Sequence, residues 1–255
     1  MPVTGVVARL PTLSGVDRRG ARAEVIAHRG ASAYALEHSL AAFDLALDQG
    51  ADALELDVRL TADGQPVVIH DPTLLRTAAD ARAVAAVSAC DLASLDPAVR
   101  PPMLADVLDR YGAATRWFVE LKDTTPLCVD AVATALATRG LGRYAVVQSF
   151  DSGALRRMRG AMPSLAVAPL LWRAPGARRL RSIATFATGI GVRYACVDLT
   201  LLMRARADGL AVRAWTPNAT EDIARLAELG VDGVITDVPD RARSVVDDVA
   251  LRDAA

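Results

Sequence analysis

The sequence predicts a single (β/α)8 barrel of the TIM type, on three observations. A chain of 255 residues has the length at which α/β barrels fold as one domain. Short runs rich in Val, Ile, Ala and Leu alternate with helical stretches, which is typical of a parallel sheet built from βα units. One pair of these runs is too closely spaced for a parallel crossover, and removing the extra run leaves eight strands.

The candidate strands are the short aliphatic runs of the sequence. They lie at 24–29, 53–60, 66–70, 116–122, 144–150, 165–171, 194–199, 211–216 and 231–237. Only Thr61 to Gln65, with Asp63-Gly64 as the turn, separate the second run from the third. A parallel crossover needs roughly a dozen residues, so this link must be an antiparallel hairpin. We expect it to extend the second strand beyond the barrel mouth and to bring His70 alongside Asp57.

Capping residues support the helices between these strands. Ser39 predicts the N-cap of a helix that Gly50 ends, and the helix from Thr220 to Leu229 is expected to stop at Gly230. A further helix is expected from Leu104 to Tyr111. We also expect Thr236 and Asp237 to cap the last βα turn rather than to touch substrate.

Residues 72–102 form a segment that is longer than an ordinary βα loop and rich in Ala and Asp. We expect this segment to be a small insertion over the mouth of the barrel. Residues 1–22 are expected to form a solvated, partly disordered leader, and residues 23–255 the single barrel domain. Cys90, Cys128 and Cys196 are widely spaced in apolar surroundings, which predicts reduced, buried thiols.

Charge and hydropathy limit the classes of partner. The formal net charge of −1 gives no global field that would attract nucleic acid or an anionic membrane. The leader lacks the residue order of a secretory signal, and no apolar stretch reaches the roughly 18 residues that a membrane span needs. We therefore expect a cytoplasmic protein without a stable membrane span or a nucleic-acid partner, either a monomer or a homodimer.

Candidate catalytic residues fall at the strand ends, where (β/α)8 barrels carry their active sites. His28 and His70 lie at such positions, and an imidazole exchanges a proton near neutral pH. The alternative is that both histidines are structural hydrogen-bonding residues, but the carboxylates near them favour acid and base catalysis.

Three carboxylates, Glu55, Asp57 and Glu120, are expected to converge from adjacent strands. Glu55 and Asp57 share one face of their strand because side chains alternate along it. Three like charges at one mouth repel one another unless a cation lies among them. Oxygen ligands suit Mg²⁺, Ca²⁺ or Mn²⁺, and plain ion pairs with nearby basic side chains are the alternative.

The order of these residues resembles the signature of the glycerophosphodiester phosphodiesterase family. The matching segments are His28-Arg29-Gly30, Glu55-Leu56-Asp57-Val58, His70-Asp71, Arg76-Thr77, Glu120-Leu121-Lys122, Gln148-Ser149-Phe150, Trp215-Thr216-Pro217-Asn218 and Gly230 to Asp237. The family's Pro-Glu-Asn-Thr-like box is the departure, since Leu36-Glu37-His38-Ser39 keeps only the glutamate. Because of this change, the sequence assigns no role to His38.

The resemblance implies a metal-dependent enzyme that hydrolyses a small-molecule glycerophosphodiester to glycerol 3-phosphate and an alcohol. It implies Glu55, Asp57 and Glu120 as ligands of one divalent cation, Mg²⁺ or Ca²⁺, with Mn²⁺ as a further choice. His28 and His70 would be the catalytic acid and base, in an order that the sequence leaves open.

Four residues are expected to bind substrate. Lys122 is the only lysine of the chain, which indicates that its position needs a compact ammonium group, and with Arg29 it would hold the phosphate. Glu37 is a metal or substrate contact by resemblance, or otherwise an acid near a helix N-terminus. Trp215 would stack on the alcohol portion or only pack the mouth.

Two other functions stay open. A lysophospholipase D-like hydrolase would use the same site on lipid substrates, and the insertion at 72–102 with Met103 could supply its apolar rim. A non-catalytic phosphate-binding barrel is conceivable because the box is altered. The retained histidines and acidic residues argue against this last alternative.

Overall fold

Eight parallel strands close into a barrel within residues 22–253, the part of the chain that the computed structural model describes. The strands are β1 (Glu24–His28), β2 (Ala53–Leu60), β3 (Pro66–Val68), β4 (Arg116–Leu121), β5 (Ala145–Ser149), β6 (Ala166–Leu171), β7 (Gly189–Arg193), β8 (Ala211–Trp215) and β9 (Gly233–Thr236). All except β3 belong to the barrel, which closes because β1 pairs with both β2 and β9. The predicted barrel is confirmed, while residues 1–21 of the predicted leader lie outside the described range.

The predicted hairpin is confirmed at the end of β2. β3 runs antiparallel to the last residues of β2, with Val58 opposite Val68 and Leu60 opposite Pro66. β4 pairs with β2 only as far as Val58, so the hairpin rises beyond the barrel. The N–H of Ile69 donates to the carbonyl of Asp57 at 3.0 Å, which brings the following residue, His70, to the mouth.

The helices surround the barrel and follow the predicted capping signals. They are α1 (Leu40–Asp48), α2 (Leu75–Ala78), α3 (Ala89–Ala93), α4 (Leu104–Tyr111), α5 (Pro126–Thr138), α6 (Ser152–Ala161), α7 (Ala177–Ala184), α8 (Leu199–Ala207), α9 (Thr220–Leu229) and α10 (Pro239–Asp253). The Ser39 hydroxyl caps α1 by accepting the N–H of Ala42 at 3.1 Å. Gly230 ends α9 in the left-handed conformation, with φ of 80°.

One strand differs from the prediction. The sequence predicts a strand at 194–199, but β7 precedes this segment, and Tyr194–Cys196 form a short 3-10 turn. Gly189 and Gly191 lower the strand propensity of β7, which is why the aliphatic run after it looked more strand-like. Asp198, which falls within the predicted strand at 194–199, instead caps α8 by accepting the N–H of Leu201 at 2.7 Å.

The insertion at 72–102 carries α2 and α3 over a small apolar cluster of its own. This cluster contains Val67, Ile69, Leu74, Val84, Val87 and Leu92. Because α3 buries only Leu92, its Cys90 is exposed, and the expectation of a buried thiol is wrong there. Cys128 is buried as expected, whereas Cys196 is half-buried.

The barrel interior is charged at its floor, which is the end where the strands begin, and apolar in its middle. At the floor, Glu24 pairs with Arg116 at 2.6 Å and with Arg213 at 3.4 Å. Above this layer lies an apolar cluster of Ile26, Ala53, Phe118, Val146, Ala166, Ala168 and Ile235. The predicted site residues lie above this apolar layer, at the mouth.

Candidate active site

Neighbouring strands bring the predicted acidic and basic residues to one side of the mouth. In the β1–β2 register His28 lies opposite Glu55, and in the β2–β4 register Asp57 lies opposite Glu120. His28 ends β1 and Glu120 is next to the end of β4, while Glu55 and Asp57 lie in β2 before the part that forms the hairpin. The adjacency of β1, β2 and β4 therefore determines which side chains meet.

The turn after β1 is built around Gly30. Arg29 and Gly30 both have positive φ, at 60° and 80°, and a Cβ on Gly30 would lie 2.6 Å from the carbonyl carbon of Ala42. Only glycine fits so close to the backbone of α1. The turn directs the N–H of Arg29 to Glu55 Oε2 at 3.1 Å and its guanidinium Nε to Asp57 Oδ2 at 3.0 Å.

His28 is held by a carboxylate from the last barrel strand. Its Nδ1 lies 2.6 Å from Oδ1 of Asp237. The same oxygen accepts a hydrogen bond from Ser32 Oγ at 2.9 Å, and Oδ2 of Asp237 accepts one from Asn218 Nδ2 at 2.6 Å. Burial raises the pKa of Asp237, but these donors outweigh it and hold the pKa at about 2. Asp237 is therefore a carboxylate that orients His28, and the expectation that it caps the last turn is wrong.

His70 has the same arrangement. Its Nδ1 lies 2.6 Å from Oδ1 of Asp71, and the Arg76 guanidinium holds Asp71 through Nε at 2.6 Å. The hydrogen bond from Arg76 is the main reason that the pKa of Asp71 lies below its usual range. Burial lowers the pKa of His70 below its ordinary value, although Asp71 opposes this shift. A proton on Nδ1 of each histidine leaves Nε2 for exchange with a substrate.

The three predicted metal ligands form a buried cluster. Glu55, Asp57 and Glu120 are 2%, 0% and 7% exposed. Burial raises the pKa of Glu55 well above its ordinary value, and the neighbouring Asp57 and Glu120 add to this effect. Burial also raises the pKa of Glu120 to about 7. Burial also disfavours the charged form of Asp57, but His38, Lys122 and Arg29 outweigh it and hold the pKa of Asp57 well below its ordinary value. Glu55 and Glu120 are thus the two carboxyl groups that lack enough positive charge around them.

The cluster meets the requirements of a divalent cation site. Both carboxylate oxygens of Asp57 are buried and lie near Arg29 and Lys122, but neither oxygen accepts a well-aligned hydrogen bond from the described residues. Ligand atoms of His38, Glu55 and Asp57 lie within 4.8 Å of one another. A hard cation would satisfy the oxygens of Asp57 and reduce the repulsion between the carboxylates, so the residues fit the expected cation.

His38 supports this cluster from the altered box. It is 3% exposed, and its Nε2 accepts the backbone N–H of Asp57 at 3.1 Å. The same nitrogen lies 3.3 Å from Asp57 Oδ2. Burial lowers the pKa of His38, which favours the neutral ring that can accept this bond. His38 thus replaces the family's asparagine with another polar side chain.

Lys122 borders the acidic cluster directly, and Glu37 links two arginines near it. Lys122 Nζ lies 2.7 Å from Glu120 Oε1 and 3.4 Å from Asp57 Oδ1. Glu37 pairs with Arg76 at 2.7 Å and with Arg29 at 3.3 Å. Glu37 thus connects the arginine beside Asp57 to the arginine that holds Asp71.

An aromatic cluster lines another side of the mouth. Trp215, at the end of β8, lies edge-on to Trp172 at 4.9 Å and to Phe150 at 5.8 Å between ring centroids. Of the predicted site residues, Trp215 is therefore the one placed apart from the acidic cluster. The sequence did not reveal the supporting roles of three residues in the matched segments, because these roles depend on which side chains they contact. The three are Asp71, Asp237 and Asn218.

Comparisons with known proteins agree with this geometry. A sequence model described as the glycerophosphoryl diester phosphodiesterase family matches residues 28–241. The chain is 30% identical to a glycerophosphodiester phosphodiesterase of Bacillus subtilis, over 84% of this chain and 83% of that protein. It is also similar to the structure of an Oleispira antarctica phosphodiesterase in complex with the product sn-glycerol-3-phosphate. There the TM-score is 0.79 at 27% identity, with 89% and 97% of the two chains covered. A glycerophosphodiester phosphodiesterase structure from Agrobacterium tumefaciens gives a TM-score of 0.77 at 27% identity, covering 86% and 99%.

Proposed function

Because this chain belongs to the glycerophosphoryl diester phosphodiesterase family, we propose that it hydrolyses glycerophosphodiesters to glycerol 3-phosphate and an alcohol. Two histidines would be the acid and base, and one divalent cation, Mg²⁺, Ca²⁺ or Mn²⁺, would be required. The observation that carries this proposal is the pair of His–Asp contacts, each 2.6 Å long, beside a buried acidic cluster. Like its relatives, the protein is an enzyme, which argues against the alternative of a non-catalytic phosphate-binding barrel.

Each histidine has a defined task in this reaction. One accepts a proton from the attacking oxygen, which belongs either to water or to the neighbouring glycerol hydroxyl through a cyclic phosphate. The other donates a proton to the alcohol oxygen as its bond to phosphorus breaks. Asp237 and Asp71 keep Nδ1 of the two rings protonated and stabilise the imidazolium that forms.

The cation would be held by Glu55, Asp57 and Glu120, with His38 beside them, and would polarise the phosphoryl oxygens when bound. Arg29 and Lys122 would bind the phosphate and offset the charge that develops on it. Glu37 would act on the substrate through Arg29, which it orients. Trp215 would contact the alcohol portion.

The direct test measures turnover of glycerophosphocholine and glycerophosphoethanolamine with and without added Mg²⁺ or Ca²⁺. We expect turnover that EDTA abolishes and that the cation restores. His28→Ala and His70→Ala should each reduce kcat by at least about a hundredfold while cation binding stays intact. Glu55→Gln and Glu120→Gln should weaken cation binding instead. Full activity in EDTA would refute the metal assignment.

A lysophospholipase D-like activity is the second candidate. An apolar cleft of about 530 Å³, which includes Leu36, Leu92 and Met103, lies between the insertion and α1. A long-chain lysophospholipid assayed against glycerophosphocholine separates the two, and a strong preference for the lipid would favour this candidate.

The cytoplasmic location and the monomeric or homodimeric state stay predictions. Among the helices of residues 22–253, none combines the length and the apolar composition that crossing a bilayer requires. Gel filtration with light scattering would test the oligomeric state.

A further inference from the structure

The near-neutral net charge conceals a strongly basic segment between residues 152 and 197. This segment contains no Asp or Glu, whereas its basic residues are Arg156, Arg157, Arg159, Arg173, Arg178, Arg179, Arg181 and Arg193. The rest of the chain is correspondingly acidic. One part of the barrel, from α6 to the end of β7, thus carries a concentrated positive charge.

Five of these arginines are exposed near the mouth. Arg173 follows β6, Arg193 ends β7, and Arg178, Arg179 and Arg181 lie in the first five residues of α7. None of the five forms an ion pair or a side-chain hydrogen bond with another described residue. Their charge is therefore available to an external partner.

Arg178 and Arg179 lie at the end of α7 where positive charge does not stabilise a helix. α7 has no acidic residue in its first turn, and its N-cap, Gly176, provides no side-chain hydrogen bond. The positive end of a helix dipole repels cations, so arginine is unfavourable at this end. Helix stability therefore does not explain Arg178 and Arg179, whereas an anionic partner does; Arg181 lies in the last turn, where a cation is favourable.

Exposed apolar side chains lie beside the arginines. Trp172 is 63% exposed and stacks on Phe150 at 5.2 Å between ring centroids, which fixes its orientation. Leu199, the first residue of α8, is 55% exposed after the adjacent strand β7. Tryptophan is favoured where water meets lipid, and an aliphatic side chain fits the edge of an acyl layer better than it fits a nucleobase.

We propose that Trp172, Arg173, Arg178, Arg179, Arg181 and Arg193 form an arginine–tryptophan patch that docks the barrel mouth onto an anionic phospholipid bilayer. The arginines would contact lipid phosphates, and Trp172 would enter the headgroup region. Charge complementarity is the reason for choosing this partner. The patch lies at the same end of the barrel as the acidic cluster, so docking would turn the site toward the lipid surface.

Vesicle cosedimentation tests the patch. Vesicles of phosphatidylcholine mixed with phosphatidylglycerol should bind the protein at low salt, whereas vesicles of phosphatidylcholine alone should bind it poorly. The triple variant Arg178→Gln, Arg179→Gln, Arg181→Gln should lose at least about tenfold in partitioning, and added salt should have the same effect. Trp172→Ala should also weaken binding.

The matched control is the triple variant Arg143→Gln, Arg204→Gln, Arg252→Gln, which removes equal charge from the other end of the barrel. All three arginines are exposed: Arg143 lies just before β5, Arg204 in the last turn of α8 and Arg252 in the last turn of α10. This control should bind like the wild type. Equal loss in both triple variants, or no binding by the wild type, overturns the proposal. Oligothymidylate binding tighter than vesicle binding, and lost in the α7 triple variant, would reassign the surface to nucleic acid.

The patch goes beyond the proposed reaction and can fail separately from it. Turnover of soluble glycerophosphocholine should be unchanged in the α7 triple variant, because these arginines lie outside the catalytic cluster. Absent turnover with intact vesicle binding would refute only the catalytic proposal, whereas normal turnover without vesicle binding would refute only the patch.

Discussion

Asp237 is the residue on which the orientation of His28 depends. Asp237→Asn preserves the shape but removes the negative charge that favours a proton on Nδ1 and stabilises the imidazolium. We expect kcat for glycerophosphocholine to fall by about a hundredfold with KM little changed. Asp240→Asn, an exposed neighbour that contacts Tyr34, is the control and should have wild-type kcat. An unchanged kcat in Asp237→Asn would remove the positioning role.

Protonation of Asp237 in acid should lower the free energy of unfolding. Its folded pKa of about 2 lies below the ordinary 3.8, so its stabilisation is complete above about pH 4 and is lost as pH falls toward 2. The loss should be about 1 to 2 kcal/mol, since the side chain is 28% exposed. In Asp237→Asn this loss should be absent when urea unfolding is compared at pH 5 and pH 2.5. Identical pH dependence of both proteins would contradict the assignment.

The two proposed catalytic histidines could be picked out from the sequence, whereas the carboxylates that contact them could not. His28 and His70 stand at strand ends beside acidic motifs, which is a local signal. Asp237 reaches His28 only because β9 closes the barrel against β1, and that adjacency is a property of the fold. Asp71, although next to His70 in sequence, is recognisable as its partner only from the side-chain geometry.

Among the connections between elements, the turn between β1 and α1 depends on Gly30. Gly30→Ala combines a left-handed φ of 80° with a Cβ that would lie 2.6 Å from the Ala42 backbone. We expect it to reduce the free energy of unfolding by about 3 kcal/mol and to displace Arg29, which lowers turnover.

Gly140→Ala is the matched control for this turn. Gly140 also has a positive φ, of 65°, but a Cβ there would meet no atom within 4 Å. Its cost should be about 1 kcal/mol, from backbone strain alone, with turnover unchanged. Equal losses of stability in the two variants, measured by urea unfolding, would show that the contact with α1 is unimportant.

Strands could be predicted from sequence where they are aliphatic. The prediction failed for β7, where glycine takes the place of larger side chains. β2 and β4 are regular apolar runs with acidic ends, and their predicted bounds are close to those observed. In β7 a Cβ on Gly189 would lie 2.9 Å from the carbonyl oxygen of Ala211, and a Cβ on Gly191 would lie 2.5 Å from Leu170 Cδ2. The close packing that requires these glycines also removes the pattern by which a strand is recognised.

At the scale of the whole molecule, the barrel separates two polar layers by an apolar one. The mouth collects excess negative charge, as a cation site requires. The floor instead balances Glu24 against two arginines, Arg116 and Arg213. The apolar cluster between them keeps water out of the barrel interior, so the floor serves stability and the mouth serves chemistry.

Glu24→Gln tests this division. Glu24 and Arg213 have side chains that are only 10% and 7% exposed, so the variant removes the carboxylate that both Arg116 and Arg213 contact and leaves the two like charges close together beside the more weakly placed Asp232. We expect the free energy of unfolding to fall by about 3 kcal/mol in urea, with kcat of the folded enzyme unchanged. Asp44→Asn, which breaks the exposed pair with Arg110, should change stability by less than about 1 kcal/mol. Adding Arg213→Met to Glu24→Gln should recover part of the loss, because the remaining charge repulsion is removed. A Glu24→Gln protein as stable as the Asp44→Asn control would show that the floor does not depend on this ion pair.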